Sequence, residues 1–158
     1  MNIPAVSYDL SFEDKYDNIF DFACFALAPA RTDEIISPEF KQANSTIILI
    51  PMPVVKKTGL PDFDKAKVMY RQIHYLSQNG KVLSAGVVNE GGIAATVSKM
   101  SFGNSIGVEF ENLDKDTLFS SKIASIVIET TSPGAFSGMD TVVIGKTISE
   151  PQFVFEGD

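Results

Sequence analysis

The chain has 158 residues, which size priors place in one domain large enough to bury a substantial core, and its 44% apolar and 21% charged residues are those of an ordinary folding protein. Twenty acidic against 13 basic residues leave a formal charge of −7, which argues against a nucleic-acid or anionic-membrane surface and requires any phosphate to be held locally, by backbone amides more than by a basic patch. A single cysteine, Cys24, excludes an intrachain disulfide; it sits in an apolar run and reads as a small buried hydrophobe. No apolar stretch reaches membrane-spanning length and the N-terminus lacks a basic region followed by an apolar run, so the expected location is the cytoplasm.

Residues 1–20 mix Pro4, Asp9, Glu13, Asp14 and Asp17 with isolated aromatics and show no sustained period; they read as an entry segment left from a preceding domain, with residues 21–158 forming a single α+β domain. Residues 21–28 are almost continuously apolar, as in a strand covered on both faces, and Pro29 ends them. Residues 31–38 read as a loop or short helical turn stopped by Pro38. The β-branched run Thr46-Ile47-Ile48-Leu49-Ile50 predicts a strand closed by Pro51 and Pro53.

After a loop at 56–61, Asp62 is placed to cap a helix whose apolar stripe is Phe63, Ala66, Met69, Tyr70, Ile73 and Leu76, with Asn79-Gly80 as its stop. His74 lies beside that stripe, has no serine or carboxylate partner in the pattern and receives no role. Residues 82–88 form the next expected strand. Ile93, Val97 and Met100 define one face of a second helix ending near Gly103. Strands follow at 106–110, 125–129 and 141–145, with a short last one at 153–155; residues 112–121 read as a polar connector and 131–140 as a turn-rich loop. About six strands and two main helices make a layered α/β sandwich of the α+β class.

The chemistry-bearing candidate is the strand-to-helix turn Asn89-Glu90-Gly91-Gly92. First-turn N–H groups and the helix dipole attract anions, glycines let a phosphate approach closely, and Asn89 can cap through its side-chain oxygen. Asn89, Gly91 and Gly92 are therefore the candidate phosphate- or nucleotide-binding residues of a phosphate-bearing small molecule. Glu90 complicates this, since its carboxylate either competes for the same amides or points away. Paired glycines also serve tight helix-to-strand packing, the commoner use, and a bare Gly-Gly is neither a G-x-G-x-x-G nor a P-loop. Lys56-Lys57, Glu13-Asp14, Asp62 with Asp64, and Asp114 with Asp116 read as solvated charge, and neither a catalytic constellation nor a metal cluster can be assembled.

Taken together, Asp62-Phe63-Asp64-Lys65, Gly80-Lys81-Val82-Leu83-Ser84-Ala85, Glu90-Gly91-Gly92-Ile93-Ala94 and Ser98-Lys99-Met100-Ser101-Phe102-Gly103-Asn104, followed by Ile106-Gly107-Val108-Glu109-Phe110, resemble phosphoribosylformylglycinamidine synthase. The likeness is to the second C-terminal domain of its long, single-chain form, in the aminoimidazole ribonucleotide synthetase superfamily. Ile36-Ser37-Pro38-Glu39-Phe40-Lys41 and Val143-Ile144-Gly145-Lys146-Thr147 fit in order, so the resemblance covers roughly residues 21–154.

The resemblance implies a partly ferredoxin-like fold and an ATP-dependent amidoligase of purine biosynthesis, with glutamine as nitrogen donor. It further implies ATP and magnesium for the whole enzyme, a preceding ATP-binding domain and a following glutaminase domain as partners, and an isolated domain that is inactive. The alternative is a non-enzymatic binding or oligomerisation module with a degenerate site. Where the family commonly reads His-Asp-Val-Ser, this chain has Gly86-Val87-Val88-Asn89, and a Gly-Gly-Lys-Asp-Ser-Met element is missing upstream. A family helix between the strands at 125–129 and 141–145 is replaced by the short Pro/Gly loop, which leaves one sheet face less covered.

Overall fold

A computed structural model describes residues 27–155. Six strands, β1 (Thr46–Ile50), β2 (Ser84–Val87), β3 (Gly107–Phe110), β4 (Ile126–Thr130), β5 (Val142–Ile148) and β6 (Phe153–Phe155), form one sheet in the order β2-β4-β1-β5-β3-β6. Every pairing is antiparallel except that of β3 with β6. The α+β class stands.

β1 is central, and its continuous apolar run is explained by cover on both faces. Ile48 and Ile50 pack with Met69 of α1 (Phe63–Gln78), together with Ile126, Ile128 and Phe136. Ile47 and Leu49 point the other way, to Ile93, Val97 and Met100 of α2 (Gly92–Phe102). Each of these fully buried aliphatic side chains contributes about 1.5–3 kcal/mol of hydrophobic free energy.

Asp62 caps α1 as its position predicts, accepting from the Lys65 N–H at 3.2 Å, and Asn79 and Gly80 (φ +66°) close the far end. The stripe is narrower than expected. Ala66 and Met69 are buried and Ile73 and Leu76 half-buried, while Phe63 and Tyr70 lie outside at 56% and 37% exposure. The periodicity counts residues within about 100° of the helix face, but α1 meets the sheet along a thinner line.

The polar connector at 112–121 requires correction, because it contains a third helix, α3 (Lys115–Phe119). Asp114 caps it by accepting from the N–H of Thr117 at 2.7 Å and its hydroxyl at 2.9 Å, and Leu118 is buried in the core on the α2 side. The turn-rich loop after β4 makes a 3-10 turn, Pro133–Phe136, that sinks Phe136 against α1's side of the sheet. β2 is shorter and β5 longer than expected. The strand expected at 21–28 lies outside the described residues apart from Leu27 and Ala28, which carry no regular structure, and Cys24, Glu13 and Asp14 lie outside them as well. No described helix is long and apolar enough to cross a membrane.

Candidate functional site at the strand-to-helix turn

β2 delivers the chain into the turn at Val88, which is pinned to the start of β4. Its N–H donates to the Ser125 carbonyl at 2.8 Å, and its carbonyl accepts from the Ala124 N–H at 2.9 Å. Asn89, Glu90 and Gly91 then project into solvent, and Gly92 turns back into the core with φ +71°. The Gly92 N–H is already engaged, donating to the Asn89 carbonyl at 2.9 Å. Asn89 therefore closes the turn through its backbone, and the side-chain cap expected of it does not form.

Each glycine has a packing reason. A Cβ on Gly92 would stand 3.0 Å from the carbonyl oxygens of both Leu118 and Ser120, so only a bare Cα fits beneath the end of α3. A Cβ on Gly91 would meet the Ala95 Cβ at 2.5 Å. The carbonyls over Gly92 make that side of the turn unfavourable for an anion. The open side is formed by Asn89 and Gly91. Across it lies the loop after α3, whose Ser121 hydroxyl reaches the Glu90 carbonyl at 3.5 Å, the outer limit of a hydrogen bond, and whose Lys122 is exposed. Sequence reading missed this loop because it follows a helix hidden in a polar connector.

The departures at Gly86 and Val87 are accommodated structurally. A Cβ at Gly86 would lie 2.7 Å from the Met100 Sδ and 2.8 Å from the Thr96 Cγ2, so α2 fills the space beside Gly86. Val87 points outward and is exposed. The Thr96 hydroxyl donates to the Gly92 carbonyl at 3.1 Å and reaches the Val87 carbonyl of β2 at 3.4 Å.

The remaining sequence candidates are dispersed. Asp62 and Asp114 are helix caps, with carboxyls held below the ordinary range. For Asp62 the main cause is the hydrogen bond from the Lys65 side chain; for Asp114 it is the N–H of Thr117. His74 is exposed. Among the described residues no group of three or more His, Cys, Asp or Glu stands together to hold a metal, and Glu90 is the one carboxylate in the turn, so magnesium does not fit there.

One polar group that sequence reading passed over is Glu129. Its carboxylate is fully buried in β4 and accepts from the N–H groups of Lys41 (2.8 Å) and Gln42 (3.2 Å) and from the Ser84 hydroxyl (2.8 Å). It ties the incoming segment to the sheet.

No family model matches the sequence, and comparison with curated proteins finds no match. Solved structures do match. Phosphoribosylformylglycinamidine synthase II from Thermotoga maritima superposes with a TM-score of 0.66 at 14% identity, over 82% of this chain and 26% of that one. T. maritima PurL complexed with ADP gives 0.67 at 14% identity, over 81% and 26%. The HypE–HypF complex gives 0.55 at 11% identity, over 73% and 50%. The chain thus spans about a quarter of the length of the PurL chains it matches. What the match shows is the fold: a six-stranded α+β domain like the part of the PurL chains on which it superposes.

Proposed function

We propose that the chain is the second C-terminal domain of a long phosphoribosylformylglycinamidine synthase, an ATP-dependent amidoligase of purine biosynthesis acting in the cytoplasm. In this reading the β2–α2 turn forms one edge of a phosphate-bearing ligand's site that a neighbouring ATP-binding domain closes, and a glutaminase domain supplies ammonia. The observation that carries the reading is the superposition of four-fifths of the chain on PurL, a protein whose structures include complexes with ADP, ATP and FGAR.

This chain's own contribution is modest and non-catalytic. The exposed backbone of Gly91 and the side-chain amide of Asn89 face the ligand, while Gly92 shapes the turn beneath α3 and gives its own N–H to Asn89. ATP would supply the phosphoryl group in the whole enzyme, and the turn, with one carboxylate, would not hold the accompanying metal. With Gly86 and Val87 in place of a polar pair, the role is auxiliary.

The test is titration of the chain with ADP and with inorganic phosphate. Glu90→Gln removes a like charge several ångströms from the anion and should tighten binding about threefold, and Asn89→Asp should weaken it by a similar factor. Identical affinity in all three proteins would remove the turn from the account. The chain alone should release no ADP from ATP, ammonia and the formylglycinamide ribonucleotide; turnover would sink the auxiliary role.

A second reading, a binding or oligomerisation module with a degenerate site, is favoured by one observation: Met100 and Thr96 already occupy the space over Gly86. It predicts no phosphate response in any variant.

A further inference from the structure

On the α1 face of the sheet, two features stand side by side that the proposed function does not use. The first is a short arm, residues 53–62. The Asp62 N–H donates to the Pro53 carbonyl at 2.8 Å, Val54 bridges Pro61, and the Val55 N–H donates to the Leu60 carbonyl at 2.8 Å. The tip is tightened by the Thr58 and Gly59 N–H groups, which both donate to the Val55 carbonyl. This fixed projection exposes Val54 (49%), Val55 (41%) and Leu60 (64%), with Lys56 and Lys57 at its end.

The second feature opens at the arm's base. A cavity of about 450 Å³ is walled by Pro53, Val68, Met69 and Met139, with Asp64 and Asp140 in its lining. It continues along α1 into a further hollow of about 400 Å³ that shares Val68 and Met139. Lys65, the cation at this cavity, is taken by Asp62 at 3.0 Å. Among the described residues neither Asp64 nor Asp140 makes an ion pair, and neither does Lys56 or Lys57.

An apolar arm tipped by two unpaired cations therefore stands next to an apolar cavity that carries the unpaired carboxylates of Asp64 and Asp140, with Arg71 farther along α1 in the second hollow. The arm does not fill its own groove, because Pro53 is part of the groove's wall and the Asp62–Pro53 bond fixes the arm's base there. A two-fold axis beside that base would present each arm to the groove of another copy, in a contact that is isologous and closed. We propose that two copies of this chain associate by reciprocal exchange of these arms. Val54, Val55 and Leu60 enter the groove over Val68, Met69 and Met139, while Lys56 and Lys57 meet Asp64 and Asp140 of the other copy. Apolar burial supplies the affinity and the charges set the register.

The experiment is sedimentation equilibrium of the full 158-residue chain and two charge reversals, with circular dichroism to establish that each is folded. The chain should dimerise, with a dissociation constant that rises with salt. Lys56→Glu with Lys57→Glu, or Asp64→Lys with Asp140→Lys, should each weaken self-association about 100-fold by placing like charges opposite one another. An equimolar mixture of the two reversals should dimerise again, because each arm then meets a groove of opposite sign. A monomeric parent chain, reversals that dimerise as tightly as the parent, or a mixture that stays monomeric would each overturn the proposal.

Discussion

Replacing Glu129 should be among the most costly substitutions in the chain, and its size follows from three hydrogen bonds. The carboxylate is fully buried and accepts from the amides of Lys41 and Gln42 and the hydroxyl of Ser84. Bonds to a charged acceptor contribute about 1.5–3 kcal/mol each, which sets an upper bound near 9 kcal/mol. Two terms reduce it: the bonds to Lys41 and Gln42 are only part-buried, so water can replace them in a variant, and the carboxylate's own desolvation is recovered when it is removed. Glu129→Ala should then cost about 3–5 kcal/mol, a large share of the roughly 5–15 kcal/mol that holds a domain folded. Glu129→Gln keeps the shape but turns an NH2 toward existing donors and should cost about 2–3 kcal/mol. Urea unfolding measures both, and amide exchange at Lys41 and Gln42 should accelerate before global unfolding. A Glu129→Gln variant with the parent's midpoint and unchanged exchange at those two amides would refute the reasoning.

Gly92→Ala should cost about 2–4 kcal/mol by urea unfolding, since it forces an alanine to φ +71° and sets a methyl 3.0 Å from two carbonyl oxygens. Gly86→His should be destabilising by about 1–3 kcal/mol from the clash with Met100 and Thr96, and Met100→Ala in the same chain should relieve part of that cost in a double-mutant cycle. Ser45→Ala should be neutral or stabilising in thermal unfolding, because the fully buried Ser45 hydroxyl has no partner to lose. The caps give a pH dependence: the folded carboxyls of Asp62 and Asp114 lie below their unfolded values, so their stabilisation is complete above about pH 4 and is lost as pH falls through the folded values. A double Asp62→Asn, Asp114→Asn variant should show a shallower acid decline, and an unchanged slope would contradict the assignment.

The elements legible in the sequence were those whose signal is local. β1 announces itself through five β-branched or aliphatic residues between polar Ser45 and the closing Pro51, and α2 through Ile93, Val97 and Met100, all of which are buried. The Asp62 cap and the Gly80 stop needed only three or four residues each to be read. α3 was obscured because five residues show barely one turn of periodicity and hold one buried anchor, Leu118, after a charged start at Lys115 and Asp116; the Asp114–Thr117 cap was the available clue. The Glu129 tie was hidden by separation, since its amide donors lie 88 and 87 residues away.

At the candidate site, the turn's place between a strand and a helix was legible, but its electrostatics were not. The carbonyls that press on Gly92 come from residues 118 and 120, and the backbone bond that occupies its N–H appears only once the chain is folded. The paired glycines thus satisfy packing on one side and leave Asn89 and Gly91 open on the other.

The most direct test of the proposed site is a nuclear magnetic resonance titration of the 15N-labelled chain with ADP. The account predicts saturable shifts centred on the Asn89 and Gly91 amides and on Ser121, with a dissociation constant on the order of 1 mM, as suits one edge of a shared site. The absence of saturable shifts at those amides, or shifts confined to other parts of the fold, would contradict it.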